Sequence, residues 1–124
     1  LIYQALMSLD IWYNKNLSDI SWIKLPKVPK HSKHSWQAYV TVIDESSSPV
    51  SRNKLMEFLL DEGISSRPGT HAVTNLNYYK SLFDIKDNQF DIASKLENST
   101  IALPLHNRMT EEDFLYISDV LHRI

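Results

Sequence analysis

Apolar side chains recur every three or four positions near the start of the chain, which is the spacing of one face of a helix. The residues on that face are Ile2, Ala5, Leu6, Leu9, Trp12 and Tyr13, so a helix is predicted over residues 1–17. A second helix is predicted after Ser51, a good N-cap, and it ends near Gly63, where a left-handed residue commonly stops a helix. A third is predicted to begin at Thr110, because Thr110 and Asp113 have the spacing of a capping box.

Residues 35–44 show a different period, in which successive side chains fall on opposite faces. Trp36, Ala38, Val40 and Val42 share one face, while Gln37, Tyr39, Thr41 and Ile43 share the other. This period of two, with its β-branched and aromatic residues, predicts a strand. Residues 100–105 predict another strand, in which Pro104 marks an edge or the exit. Residues 64–67 are predicted to be extended before a Pro-Gly turn.

Two shorter apolar stretches, residues 78–83 and 90–98, predict short helices between these strands. Helices and strands are thus mixed along the chain rather than strictly alternating. We expect an α+β fold, in which a small antiparallel β-sheet of about three strands packs against about four helices. Periodicity and composition alone do not yield a function.

Composition removes several classes of function. The 124 residues, 43% of them hydrophobic, supply one domain with a single core. A net charge of −2 gives no basic field, and the lysines between Lys24 and Lys33 lack the interleaved aromatic residues of single-strand binders, so no nucleic-acid partner is expected. No cysteine is present and no apolar run approaches the roughly 20 residues that span a bilayer, so disulfides and membrane spans are not expected. These features fit a cytoplasmic protein.

His31 and His34 have a spacing that could chelate a metal ion if both lay on one helix. Here they follow Pro26 and Pro29, which prevent a helix, and they lead into the strand predicted at residues 35–44. Zinc needs at least three protein ligands, and no third ligand lies nearby in the sequence. We therefore expect a solvated loop and no metal site.

The second half of the chain carries a series of short motifs in a fixed order. They are Arg52-x-x-Leu55-x-x-x-Leu59 running into Gly63-Ile64, the segment Arg67-Pro68-Gly69-Thr70-His71-Ala72-Val73, the segment Leu103-Pro104-Leu105, and the run Met109-Thr110-Glu111-Glu112-Asp113. In order and spacing, they resemble the C-terminal small domain of the DegT/StrS family of pyridoxal-phosphate-dependent sugar-nucleotide aminotransferases. The resemblance covers residues 34–124 and extends less strongly to the leading helix.

The resemblance implies that residues 1–17 are a connector helix and residues 18–124 the small domain of an enzyme with the type I aminotransferase fold. Enzymes of this family move an amino group, usually from glutamate, to a keto sugar nucleotide for cell-surface polysaccharides or glycosylated natural products. They hold pyridoxal phosphate on a lysine of an upstream large domain, at the interface of a homodimer. We therefore expect that domain to precede Leu1, and this fragment alone to be inactive and not to bind pyridoxal phosphate.

By the same resemblance, His71, Arg67 and Thr70 are predicted to bind substrate, and no catalytic or cofactor-binding residue is expected. In the family this loop faces the active-site cleft, where a histidine can hydrogen-bond the sugar nucleotide or a carboxylate. Arg67 suits a carboxylate or phosphate, and Thr70 would position His71 through backbone contacts. The alternatives are a histidine that only braces the turn and an arginine paired with a nearby acid. Asn75 and Asn77 depart from the family's pattern, which leaves the substrate detail open.

A free-standing interaction or regulatory module with the same fold is the alternative function. In that case the helix of residues 1–17 would be a docking surface. The reading frame upstream of Leu1 distinguishes the two hypotheses. A long upstream domain containing the cofactor lysine favours the enzyme, whereas an immediate start codon favours the module.

Overall fold

The computed structural model describes residues 11–124, and their strands form one antiparallel sheet. The strands are β1 (Ile23–Lys24), β2 (Tyr39–Ile43), β3 (Arg67–Pro68) and β4 (Thr100–Leu103), in the order β1-β2-β4-β3. The helices are α1 (residues 11–17), α2 (Arg52–Asp61), α3 (Asn77–Phe83), α4 (Asp91–Ser99) and α5 (Glu111–His122), with a 3-10 turn at Val73–Asn75. The predicted α+β fold with a small antiparallel sheet is confirmed.

The described residues add one strand to the predicted sheet, the two-residue β1. It pairs antiparallel with β2, and Ile23 lies opposite Ile43. A segment this short has no periodicity to reveal it, because its strand geometry comes from the neighbour that it pairs with. In the helix predicted over residues 1–17, residues 11–17 are helical, while Ile2, Ala5, Leu6 and Leu9 lie outside the described residues.

β2 is shorter than the strand predicted over residues 35–44, because the backbone turns at Trp36. Trp36 has a φ of 49°, in the left-handed region, and its N–H donates to His34 Nδ1 at 2.9 Å. From Tyr39 onward the predicted alternation holds, and the side chains of Tyr39, Thr41 and Ile43 are the buried ones. Trp36 is itself buried and packs on Tyr39, so it belongs to the core without being part of the strand.

The core is centred on three aromatic side chains that join α1, β2 and α5. The ring centroid of Tyr13 lies 4.6 Å from that of Tyr39 and 4.8 Å from that of Phe114, the latter in an edge-to-face arrangement that favours the pair. The hydroxyl of Tyr13 donates to the carbonyl of Pro104 at 2.7 Å, and that of Tyr39 donates to Asn14 Oδ1 at 2.7 Å. Burial raises the pKa of the Tyr13 phenol, so it remains a neutral donor.

The helix boundaries that the sequence predicts are confirmed by their capping contacts. Ser51 accepts a hydrogen bond from the N–H of Lys54 at the start of α2, and Gly63 after its end has a φ of 77°. At α5, the N–H of Thr110 donates to Asp113 Oδ2 at 2.7 Å, and the N–H of Asp113 donates to Thr110 Oγ1 at 3.3 Å. These reciprocal bonds fix the start of α5, whose buried residues belong to the same core cluster as those of β2 and β4.

Residues 73–96 leave the core entirely, and we call them the excursion segment. The buried cluster of the described residues contains no member between Ile64 and Ile101. The excursion segment instead exposes large apolar side chains, namely Val73, Leu76, Tyr78, Leu82, Phe83, Phe90, Ile92 and Leu96. Such a concentration of exposed apolar surface is typical of a region that another surface covers.

The chain between β1 and β2 runs along the surface, as its prolines predict. Val28 and the lysines that follow it are exposed, and the segment contains no helix. Among residues 11–124, every helix is too short or too polar to cross a lipid bilayer.

Leu55 and Leu60 both lie on α2 but differ in burial, since Leu55 is 0% exposed and Leu60 is 67% exposed. They therefore allow the same substitution to be compared at a buried and an exposed position. Leu55→Ala is expected to lower the free energy of unfolding by about 2–5 kcal/mol, because it leaves a cavity under α2. Leu60→Ala should change it by less than about 0.5 kcal/mol. Chemical denaturation measures both, and equal losses for the two variants would contradict this placement of α2.

The end of α5 is tied to the residues after α1 through His122. Its Nδ1 lies 2.7 Å from the carbonyl oxygen of Ser118, and its Nε2 lies 3.0 Å from Asp19 Oδ1. Both partners are acceptors, so both ring nitrogens must donate, which requires the imidazolium form. The Ser118 carbonyl, followed by the Asp19 carboxylate, raises the pKa of His122 above its ordinary value.

This raised pKa predicts a pH-dependent stability. The stabilisation is fully present below the ordinary histidine pKa of about 6.5 and is lost as the pH rises through the higher folded-state pKa. Asp19→Asn should lower the pKa of His122 and reduce the loss of stability as the pH rises. Asp61→Asn, on the exposed face of α2, serves as the control. Urea unfolding below a pH of about 6.5, and again above the folded-state pKa of His122, measures the change in the free energy of unfolding. A wild-type stability that rises with pH across it would contradict the assignment.

Candidate functional site

The predicted site residues lie where β3 turns away from the sheet. Arg67 pairs with Ala102 of β4, and the N–H of Gly69 donates to the carbonyl of Thr100 at 3.2 Å. A Cβ on Gly69 would lie 2.4 Å from Val40 Cγ1 and 2.7 Å from Thr100 Cβ. Only glycine fits this approach to the sheet, which is the physical reason for the glycine of the Pro-Gly pair.

A buried arginine shares the acceptor that holds Gly69. Arg52 is 6% exposed, and its Nη1 lies 3.5 Å from the carbonyl oxygen of Thr100. Thr100 is the C-cap of α4, so the guanidinium stands at the negative end of that helix dipole. Within the described part of the chain Arg52 forms no ion pair with a carboxylate, and its Nε has no hydrogen-bond partner.

Sequence reasoning did not single out Arg52 as a residue that supports the site. The signal was nevertheless present, because Arg52 lies three residues before Leu55 and seven before Leu59, the two buried leucines of α2. This spacing places the arginine on the buried face of the helix. Its side chain therefore links α2 to the strand and turn that carry the predicted site.

His71 is displayed on the surface, and 76% of its side chain is exposed. Its Nδ1 lies 3.8 Å from Glu97 Oε1, on α4. Glu97 Oε2 accepts a hydrogen bond from Asn75 Nδ2 at 2.6 Å, and Asn75 Oδ1 accepts one from Ser94 Oγ at 2.9 Å. The imidazole thus stands beside a carboxylate whose other oxygen is fixed by a hydrogen-bonded chain.

Arg67 of β3 lines an open cleft of about 670 Å³. Its walls come from the loop after α2, the end of β4 and the first turns of α5. Arg67, Gln37, His106 and Tyr116 are among its polar lining residues, whereas Thr70 and His71 are not in the lining. The structure therefore separates the predicted residues, with Arg67 in the cleft and the other two beyond the turn.

Asp113, the acid that lines this cleft, is engaged in a structural contact. Hydrogen bonds from the backbone and then the side chain of Thr110 lower the pKa of Asp113. The hydroxyl of Tyr116 donates to the carbonyl of Glu62 at 2.9 Å. Arg67, in contrast, forms no ion pair with an acid of the described residues. Its guanidinium is therefore the group of the cleft best suited to an anionic ligand, and the volume is that of a small-molecule site.

His34 and His106 have local structural contacts. The ring of His34 lies 4.2 Å from that of Trp36, with which it also shares the hydrogen bond described above. His106 Nδ1 accepts a hydrogen bond from the N–H of Arg108 at 3.3 Å. Within residues 11–124, no three side chains of histidine, aspartate or glutamate come together in an arrangement that could hold a metal ion.

Two curated relatives resemble the chain in sequence. The dTDP-4-amino-4,6-dideoxy-D-glucose transaminase of Shigella dysenteriae is 28% identical over 121 residues, which are 95% of this chain and 32% of that protein. The spore coat polysaccharide biosynthesis protein SpsC of Bacillus subtilis (strain 168) is 29% identical over 91 residues, which are 73% of this chain and 23% of that protein. The chain thus spans between a fifth and a third of the length of these relatives.

A solved structure shares the fold, and a family profile extends across nearly all of the chain. The crystal structure of S. venezuelae DesV, in complex with a ketimine intermediate, superposes with a TM-score of 0.85 at 15% identity, over 98% of this chain and 31% of that one. The profile of the DegT/DnrJ/EryC1/StrS aminotransferases matches residues 8–122. The chain therefore belongs to the DegT/DnrJ/EryC1/StrS aminotransferase family.

Proposed function

We propose that the chain is the C-terminal small domain of a pyridoxal-phosphate-dependent aminotransferase, with residues 1–17 as a connector helix and residues 18–124 as the domain. The whole enzyme would transfer an amino group, with glutamate as donor, to a keto sugar nucleotide. The observation that carries this proposal is the family match over residues 8–122. The names of the Shigella and Bacillus relatives, a sugar-nucleotide transaminase and a polysaccharide biosynthesis protein, support the substrate class.

We infer that the cofactor-binding lysine lies outside this chain. In support, residues 1–10 contain no lysine, and the lysines of residues 11–124 lie at the surface. Lys80 is the least accessible of them, with 34% of its side chain exposed, and it bonds with Asp87 at 3.1 Å. Such environments do not fit a lysine held against a cofactor, which needs a desolvated pocket. Pyridoxal phosphate, when bound elsewhere in the whole enzyme, supplies the electron sink.

The exposed apolar surface of the excursion segment, residues 73–96, favours the presence of an additional domain. The segment's exposed apolar side chains begin two residues after His71, at Val73. The relatives are about three to four times as long as the part that this chain matches. A large domain seated there would cover the apolar surface and place its own residues beside His71. The whole enzyme would act as a cytoplasmic homodimer with its active site between the protomers.

The same surface is also what a free-standing interaction module would use, and this is the second candidate function. In that case the excursion segment would bind a separate protein, and the chain would need no upstream lysine. Sequencing the region before Leu1 separates the two candidates.

In the proposed enzyme, the residues of this chain bind and orient the substrate. Arg67 would pair its guanidinium with the diphosphate of the nucleotide or the carboxylate of the amino donor. His71 would hydrogen-bond the sugar, and Thr70 would hold the turn between them. Gly69 sets the position of this turn because its backbone lies against Thr100 and Val40.

Mixing the chain alone with pyridoxal phosphate is expected to give no stable yellow adduct that depends on a particular lysine. The reason is that its described lysines are solvated, so none is activated as a nucleophile. Absorbance spectroscopy after gel filtration measures this, with the whole enzyme as the positive control. A stable adduct that disappears on substitution of one lysine of this chain would contradict the proposal.

In the whole enzyme, Arg67→Ala and His71→Ala are each expected to raise the KM for the nucleotide sugar by about 10- to 100-fold, the cost of a lost charge-assisted or ligand hydrogen bond. Lys54→Ala, on the exposed face of α2, is the control and should leave the KM unchanged. Steady-state kinetics measures all three variants. Wild-type KM values for both Arg67→Ala and His71→Ala would remove these residues from the substrate site.

A further inference from the structure

Glu97 is placed where a carboxylate is electrostatically unfavourable. It lies in the last turn of α4 (Asp91–Ser99), which has no basic residue in that turn. The negative end of the helix dipole disfavours an acid at this position. A residue kept against local preference needs a compensating contact, and such positions are often functional.

The compensation comes from two directions. Asn75 Nδ2 donates to Glu97 Oε2 at 2.6 Å, and Ser94 Oγ fixes the amide of Asn75 by donating to its Oδ1 at 2.9 Å. Glu97 Oε1 is turned toward the imidazole, 3.8 Å from His71 Nδ1. Of the basic side chains in residues 11–124, His71 is the one within ion-pair distance of Glu97.

We propose that Glu97, held by Asn75 and Ser94, is a positioning residue that keeps the proton of neutral His71 on Nδ1. A small rotation of the exposed imidazole turns the 3.8 Å approach into an Nδ1–H···Oε1 hydrogen bond. A partner on one ring nitrogen fixes the tautomer and therefore the role of the other nitrogen. Nε2 then carries a lone pair directed away from Glu97.

This arrangement determines which part of a ligand His71 contacts. An unprotonated Nε2 accepts a hydrogen bond, so it suits a hydroxyl or amino group and not a phosphate oxygen, which is itself an acceptor. That the ligand is a sugar nucleotide rests on the proposed function. Given that ligand, His71 contacts the hydroxyl or amino groups of the sugar, and Arg67, in the cleft, contacts the diphosphate.

The same contacts give a reason for Asn75, which departs from the pattern expected of the family. Its amide joins the 3-10 turn at Val73–Asn75 to α4 by binding Glu97 and Ser94. Replacing it frees the carboxylate to rotate away from His71. Asn75→Ala should therefore weaken the preference for the Nδ1–H tautomer without abolishing it.

Long-range ¹H–¹⁵N correlation NMR on the ¹⁵N-labelled chain tests the proposal, at a pH of about 8.5, well above the ordinary histidine pKa of about 6.5. The His71 signals are assigned by their loss in His71→Asn. In the wild-type chain we expect Nδ1 to be the protonated nitrogen. In Glu97→Ala we expect the major tautomer to change to Nε2–H, the form that a free histidine side chain prefers.

Glu57→Ala, an exposed glutamate on α2, is the matched control and should leave the His71 tautomer unchanged. If Glu97 had only a structural role, Glu97→Ala would change the unfolding temperature and leave the His71 tautomer as it is in the wild-type chain. A wild-type His71 protonated mainly on Nε2 overturns the proposal, and this observation needs no variant. That result would leave the substrate-binding function untouched, because the KM values of the whole enzyme decide it separately.

Discussion

The antiparallel pairing of β2 with β4 is the constraint on which the rest of the domain depends. It sets Tyr39 opposite Leu103 and Val42 opposite Thr100, so the aromatic core and the start of β4 are fixed by one register. The carbonyl of Thr100 then accepts from Gly69 and from buried Arg52. A shift of one residue would turn the buried face of β2 outward and remove this acceptor from beneath the turn.

Local chemistry made much of the fold predictable from the sequence. Ser51, Gly63 and Thr110 set helix ends through contacts with near neighbours, which the residue types and spacing reveal. The pairing of β1 with β2 depends on contacts between distant residues. The left-handed conformation of Trp36 depends on the surrounding packing. No periodicity in the sequence encodes either feature. For this reason the sequence predicts three strands and a longer β2 than the structure has.

The sequence predicts candidate residues for the site, but it does not predict their layout. The Pro-Gly pair predicts a turn that displays Thr70 and His71, yet Arg67 lines a cleft whose lining does not include these two residues. The sequence could not reveal Glu97 as the neighbour of His71. Glu97 is held there by Asn75, which lies 22 positions away and meets it only when α4 folds back on the 3-10 turn. Side chains that act together here come from separate elements.

The central claim is that this domain supplies substrate contacts to a catalytic centre located on another part of a longer polypeptide. A structure of that polypeptide with a bound sugar nucleotide tests it most directly. The account predicts His71 Nε2 within about 3 Å of a sugar hydroxyl or amino group, with residues 73–96 buried against the large domain. A ligand bound far from His71, with the excursion segment still exposed to solvent, would contradict it.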